Sequence, residues 1–437
     1  MPSKPKPLHT AMPRFEPTVQ AARLCLEAVR PDDYASTRNA LNGAVTRLSP
    51  YLTHGLLSLT EVYSTVHARR ALHPKHKLVF ELGWRAYYRH VWAHLGDGIG
   101  QSLHAGLLPD SAYQPDIPPD VLQARTGIPA IDLAVRELYE TGYLHNHARM
   151  WLASYLVHLR KVHWHAGAQW MLGHLLDGDR ASNHLSWQWV AGTGSSKPYL
   201  FNAENIAKYA PAHWHSPGTA IDVSYETMNA LARSTEPVYW PQNARHASTG
   251  LTPPTLYVSP LAGNLGGDSG ACLGGGPGGS WRKPDALCAQ HLTGRRVWLH
   301  HPWSLATGCT TLPSDVLHIG VGFDTCHSAS PWSQRRWDFV TRGLAAQTIP
   351  TLPLLWGSVE QIAQALQNVV SVRWQPDPHV DEALSHLQTL LTEANPQRVV
   401  GPRAPSCLFE PVSTYCRSFS EWWKHTRLSA TSAPMPH

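Results

Sequence analysis

The chain has 437 residues, 43% hydrophobic and only 15% charged, which excludes wholesale disorder. The formal charge is +5 with 27 histidines counted neutral, so an anionic partner is favoured over a cationic one. Thirty-six basic against 31 acidic residues is a faint footprint for nucleic acid. Cysteines at 25, 272, 288, 309, 326, 407 and 416 are odd in number and form no CxxC pair, which speaks against a disulfide framework or zinc ribbon and for a reducing compartment. The opening MPSKPKPLHT has no apolar stretch of signal-peptide type, and no run approaches the roughly eighteen apolar residues of a membrane span. The expectation is a cytoplasmic protein without a membrane partner.

In chain order, residues 1–20 read as a polar, proline-bearing arm. From about Ala21 to Tyr209 helix follows helix, with expected segments at Lys77–His94, Pro129–Glu140, His145–Val162 and Ala166–Leu176. Thr141-Gly142 and Asp177-Gly178-Asp179 punctuate them as turns. A mainly α unit over 21–240 results. Residues 241–290 read as a Pro/Gly-rich linker around the run GNLGGDSGACLGGGPGGSW. Over 291–437, strands at Arg296–His300, Val316–Gly322, Thr351–Trp356 and Val369–Trp374 alternate with helices at Trp332–Ala346, Val359–Asn368 and Val380–Glu393. Such alternation predicts a C-terminal α/β domain with a parallel sheet.

The chemistry gathers in the helical unit. In ELGWRAYYRH, Glu81, Trp84, Arg85 and Tyr88 fall at i, i+3, i+4 and i+7 and share a helix face. A lined pocket accounts for this mixture, and so does an amphipathic face with a Glu81–Arg85 ion pair. In YLHNHARM, Asn146, Arg149 and Met150 share a second face. Downstream, LLDGDRASNHLSWQW brings Asp177, Asp179, Asn183, Trp187 and Trp189. A buried arginine needs a carboxylate, and Asp177 is the expected partner of Arg149. Polar groups beside tryptophans suit a flat heterocycle, whereas the competing reading of the DGD is a turn with N-cap carboxylates.

Four ordered pieces, TRLSPYLTHGLLS (46–58), ELGWRAYYRH (81–90), TGIPAIDLAVRELYETGYLHNHARM (126–150) and LLDGDRASNHLSWQWVAGTG (175–194), make the stretch Tyr34–Tyr209 closely similar to the FAD-binding helical domain of the photolyase/cryptochrome family. The resemblance implies FAD as cofactor. Tyr34 and the Thr46-Arg47-Leu48-Ser49 turn match positions that hold its phosphates. Arg85, Asn146, Arg149, Asp177, Asp179 and Asn183 match the cradle, with Asn183 facing flavin N5. Glu81, Trp84, Asn146, Met150 and Trp189 match the lesion pocket of enzymes that repair cyclobutane pyrimidine dimers. The branch that repairs (6-4) photoproducts typically has histidines at the Asn146 and Met150 positions.

Trp187 and Trp164 match inner and middle members of a photoreduction chain. Tyr113 stands at the outer position, where the family has tryptophan. Arg38, Trp84 and Lys197 are the expected DNA contacts, although SSKPYLFN lacks the family's basic residue after Tyr199. No metal is implied. His145/His147 and His163/His165 lack the ligands to complete a metal site. The implied function is light-driven repair of UV-damaged DNA by a monomeric deoxyribodipyrimidine photo-lyase, with a cryptochrome-like photoreceptor as the alternative. Residues 291–437 resemble, weakly, the family's N-terminal antenna domain in swapped order, which leaves room for a second, antenna chromophore of unknown identity.

Overall fold

Capping side chains or an early proline start the helices of the N-terminal part. The computed structural model describes residues 15–240, 250–262, 280–306, 313–348, 354–403 and 407–429. Helices α1 (Val19–Glu27), α2 (Pro31–Thr37), α3 (Ser49–Thr53) and α4 (Leu59–Arg69) lead to the long α5 (Lys77–Leu95). The last starts where His76 Nδ1 accepts the Leu78 N–H at 3.2 Å and stops at Gly96, whose φ is 52°. Next come α6 (Pro119–Leu122), α7 (Pro129–Thr141), α8 (Asn146–Ser154), α9 (Trp164–His174), α10 (Arg180–Ala191), α11 (Ala203–Tyr209) and α12 (Tyr225–Arg233). Asp179 caps α10 by accepting the Ser182 N–H at 2.8 Å, the usual task of an N-cap carboxylate.

The helix expected over His145–Val162 is interrupted. It stops at Ser154, a π turn spans Tyr155–Leu159, and Lys161 takes a φ of 54°. The buried Lys161 ammonium donates to the carbonyls of His158 and Leu231 at 2.7 and 2.8 Å. That anchor, invisible to local periodicity, turns the chain. The helix expected at Ala166 begins two residues earlier, at Trp164, where His163 caps it.

The C-terminal part is an α/β layer. Its strands are β1 (Leu256–Tyr257), β2 (Trp281–Arg282), β3 (Arg296–His300), β4 (Val316–Phe323), β5 (Trp332–Ser333), β6 (Leu354–Gly357), β7 (Ser371–Trp374) and β8 (Val399–Pro402). Helices α13 (Ala286–Leu292), α14 (Gln334–Ala345), α15 (Val359–Ala365), α16 (Asp381–Ala394) and α17 (Phe419–His425) accompany them. Six strands form a parallel sheet in the order β2-β6-β4-β3-β7-β8. Chain direction across the sheet reverses between β3 and β7, the kind of switch point where open α/β sheets bind ligands.

Two expected boundaries shift. Trp281–Arg282 pairs with Leu354–Leu355, so the sheet takes in residues read as linker, and α13 follows there too. Trp332–Ser333 is not helical, because it pairs with Leu256–Tyr257 before Ser333 caps α14. Most of the glycine-rich run, residues 263–279, lies outside the described residues, as do 1–14 of the arm and 351–353 of an expected strand.

The two apolar clusters do not divide at the linker. One joins Ala22, Val62, Val79 and Leu82 of α1, α4 and α5 to Val297, Leu299 and Val372 of the sheet and to Phe419 and Trp422 of α17. The other is built within residues 121–228. The sheet therefore packs onto the first half of the helical part. Among the described residues, no helix is long and apolar enough to cross a membrane.

Candidate functional site

The Asp177-Gly178-Asp179 turn before α10 is the hub of the site. From α8, Arg149 Nη2 donates to both oxygens of Asp177 at 2.7 and 3.0 Å, the pair expected from sequence. From α5, Arg85 donates to Thr53 Oγ1 at 3.0 Å and lies 3.7 Å from Asp179. Arg89, one turn on, also pairs with Asp179. Burial alone would raise the Asp179 carboxyl. The guanidiniums of Arg89 and Arg85 outweigh it and hold the group ionised, well below the usual carboxylate range.

Glu81 does not pair with Arg85. It meets Arg38 of the segment after α2, at 3.5 Å, because Arg85 is drawn inward to Asp179. Glu81 sits on an accessible rim with its side chain 42% exposed. Even so, desolvation shifts its carboxyl pKa upward against the pull of Arg38.

Past the turn, Asn183 is 9% exposed, and its Nδ2 donates to Ala168 O at 2.8 Å. The amide oxygen is thereby turned to the opposite side. Trp187, 2% exposed, lies so close to α9 that a Cβ at Gly167 would stand 2.4 Å from its ring. Trp164, one turn before Gly167, is 3% exposed and donates its indole N–H to Ser102 Oγ at 2.9 Å. His163 stands between Trp164 and Tyr113, with ring centroids 5.9 and 6.2 Å away. The bridge Gln114↔Val162 pins the Tyr113 segment there.

At the other end, Thr46, Arg47, Leu48 and Ser49 enter α3. Arg47 has a φ of 54°, and its guanidinium lies 5.1 Å from the Tyr143 ring centroid, with that of Arg149 at 5.5 Å. Helix α3 has five residues, so its dipole contributes little, and hydroxyls and guanidiniums are the groups suited to a diphosphate. Tyr34 is half-buried, and burial, then Glu81, pushes its phenol up. Near Arg47 and Arg149, burial raises the Glu137 carboxyl to about 7, the two guanidiniums opposing.

The accessible face carries the expected lesion residues. Asn146 is exposed and its Nδ2 donates to Met150 Sδ at 3.5 Å. Trp189 is 38% exposed and stacks on Tyr199 with centroids 5.7 Å apart. Trp84 is half-buried. Phe419 of α17 covers one face of its ring, centroids 4.1 Å apart and planes at 11°, so a further stacking partner must use the other. Lys197 is exposed in the loop after α10.

Sequence reasoning missed Arg89, Arg336, Asp377 and His379. Arg89 donates to both oxygens of Asp377, at 3.2 and 3.3 Å, across 288 residues of sequence, a pairing with no local signal. A separate cavity of about 920 Å³ lies between α1, α5 and the carboxyl ends of β3 and β7, lined among others by Arg23, Arg89, Trp303, Gln375, Asp377 and Trp422. Of the expected cradle residues, only Arg85 reaches it.

The donor set agrees with a folded flavin dinucleotide: guanidiniums and hydroxyls at one end, a turned amide oxygen and a buried indole at the other. Residues 78–213 match the family model described as the FAD binding domain of DNA photolyase. The chain is 36% identical to a deoxyribodipyrimidine photo-lyase of Streptomyces griseus, over 37% of this chain and 36% of that protein. It is 35% identical to a cryptochrome DASH of Gloeobacter violaceus, over 40% and 37%. A solved cryptochrome of Synechocystis sp. PCC6803 is similar at 27% identity with a TM-score of 0.43, over 52% of this chain and 54% of that one. A photolyase from Sulfolobus tokodaii, solved with two FAD molecules, is similar at 26% identity with a TM-score of 0.39, over 51% of each. The chain spans about half or less of the length of these relatives.

Proposed function

We propose that this chain, whose residues 78–213 match the FAD binding domain of DNA photolyase, holds FAD in the Asp177–Asn183 cradle and repairs cyclobutane pyrimidine dimers in UV-damaged DNA under blue light, as a deoxyribodipyrimidine photo-lyase. The observation that carries this reading is a division by exposure. Asp179, Asn183 and Trp187 are buried, whereas Glu81, Asn146 and Trp189 of the matched lesion set are open to solvent. A ligand-facing inside and a substrate-facing outside are what repair requires.

FAD, when bound and reduced, supplies light-driven one-electron donation. Around it, Arg149 and Arg47 offset diphosphate charge, and Asn183 presents a neutral amide to the flavin. Trp84 and Trp189 stack the extruded pyrimidine dimer, as aromatic side chains do in other base-flipping enzymes. Glu81, on the accessible rim beside Arg38, is the group placed to hydrogen-bond the pyrimidine carbonyl edge where negative charge develops. The ring splitting that this donation would support is redox-neutral overall. Trp187, Trp164 and Tyr113 relay electrons inward for charging rather than for repair. Arg38 and Lys197 meet DNA phosphates, few enough that salt dependence is modest.

The cryptochrome DASH relative, at nearly the same identity as the photo-lyase, keeps a photoreceptor as the second reading. Glu81→Ala separates the two. Repair reading predicts a clear fall in dimers restored per photon, with flavin occupancy and damaged-DNA affinity nearly unchanged. Repair at the wild-type yield would remove Glu81 from the chemistry and the lesion pocket with it.

A further inference from the structure

The α/β part reaches into the flavin cradle with three side chains. We propose that Arg336, Asp377 and His379 are positioning residues for that cradle, fixing the Leu176–Asp179 turn and the start of α10, and through them Asn183 and Trp187. The inference rests on the reading that this cradle holds FAD.

Three successive carbonyls of the turn are each taken by a side chain. His54 Nε2 lies 2.7 Å from Leu176 O, Thr53 Oγ1 donates to Asp177 O at 3.2 Å, and Arg336 Nη2 donates to Gly178 O at 2.6 Å. Arg336, on α14, is 1% exposed and also donates to Leu172 O at 2.8 Å. Its guanidinium lies 3.8 Å from the Trp332 ring centroid. It approaches Gly178 so closely that a Cβ there would stand 2.4 Å from Nη1, so this glycine is required by contact. Among the described residues no carboxylate bonds Arg336 directly, and burial draws it down to about 9, against the charges of Asp177 and Asp179. Burying a guanidinium is costly. Spending it on two backbone carbonyls makes sense as placement of the turn.

The second arm is a closed ring. Arg89 joins Asp179 to Asp377, just beyond β7. Asp377 Oδ1 lies 2.6 Å from His379 Nδ1, and His379 Nε2 accepts the backbone N–H of Arg180 at 3.2 Å. Because Nε2 is an acceptor, Nδ1 carries the hydrogen and donates it to Asp377. Arg180 follows Asp179, so the ring closes on the first turn of α10. His379 is itself locked by stacking on Trp303, centroids 4.6 Å apart and planes at 8°. Asn183 lies one turn further along that helix and Trp187 two.

The test uses the full chain, with Arg336→Met, His379→Phe and His379→Gln, whose amide oxygen can still accept the Arg180 N–H. Leu391→Ala, in the sheet-side core on α16, is the control for general loosening. Hydrogen exchange at the amides of residues 180–184 in flavin-free protein is read first, FAD dissociation and flavin reduction potential second. Arg336→Met and His379→Phe are expected to speed that exchange and weaken FAD by roughly tenfold each, the scale of losing one buried hydrogen bond. His379→Gln should recover most of the loss, and Leu391→Ala should leave both readouts near wild type. Unchanged exchange in folded Arg336→Met and His379→Phe, or equal effects in the control, overturns the proposal. A wild type that binds no FAD while the exchange pattern still responds overturns the flavin reading instead and leaves the clamp on the turn standing.

Discussion

His54, His145, His158, His174, His184 and His300 are all at most 5% exposed. In each, burial is the largest influence and holds the imidazole pKa low, at about 3 for His54, His184 and His300 and about 4 for His145, His158 and His174. The unfolded chain would protonate these rings near pH 6.5, so it binds more protons than the fold once pH drops below that value. Stability is therefore fully present above pH 6.5 and is lost as pH falls toward 4. At pH 5 each ring would cost about 2 kcal/mol, and three of them already rival the stability of a typical domain. Thermal midpoints should decline from pH 6.5 downward and the chain should unfold well above the carboxylate range. Midpoints flat to pH 5 would contradict this. At the same scale, the Arg149–Asp177 pair was legible because both residues sit in recognisable motifs. Of the two readings open for the Glu81–Tyr88 face, the one with a Glu81–Arg85 ion pair does not hold, since helical spacing shows who can reach whom but not that Asp179 competes for Arg85. Arg336, Asp377 and His379 had no signal as parts of the site, because the groups they meet in the helical part lie more than 150 residues away.

Among elements, the long amphipathic helices and the strand–helix alternation could be read, because each carries its own periodicity. What could not be read were features imposed from afar: the π turn set by buried Lys161, and β5, which exists because β1 lies beside it. The glycine-rich run suggested two units without a shared core. Instead α1, α4 and α5 bury their apolar faces against β3, β7 and α17. A chain cut after residue 240 loses that cover, together with the Arg336 and His379 contacts to the turn. The prediction is an aggregating or flavin-poor fragment, seen by size-exclusion chromatography with flavin absorbance. A soluble monomeric fragment with full flavin occupancy would contradict it.

Taken whole, the molecule gathers the paired charges of Arg85, Arg89, Arg149, Asp177 and Asp179 between α5, α8 and α10, leaves Glu81, Asn146 and Trp189 open to solvent, and ties the turn before α10 to the α/β part. Fold class and the likeness of residues 78–213 to the FAD binding domain of DNA photolyase follow from dense, ordered motifs. The division between repair and sensing does not, because both uses need the same cradle and the same tryptophans, and only the lesion face separates them. The decisive measurement is therefore made on DNA. Full-length protein, loaded with FAD and chemically reduced, is mixed with an oligonucleotide carrying one cyclobutane pyrimidine dimer, and restored pyrimidines are counted under blue light and in darkness. The account predicts restoration in the light alone, over repeated turnovers and with the flavin still reduced at the end. Flavin-loaded, reduced protein that binds the oligonucleotide yet restores no more in light than in darkness would contradict it.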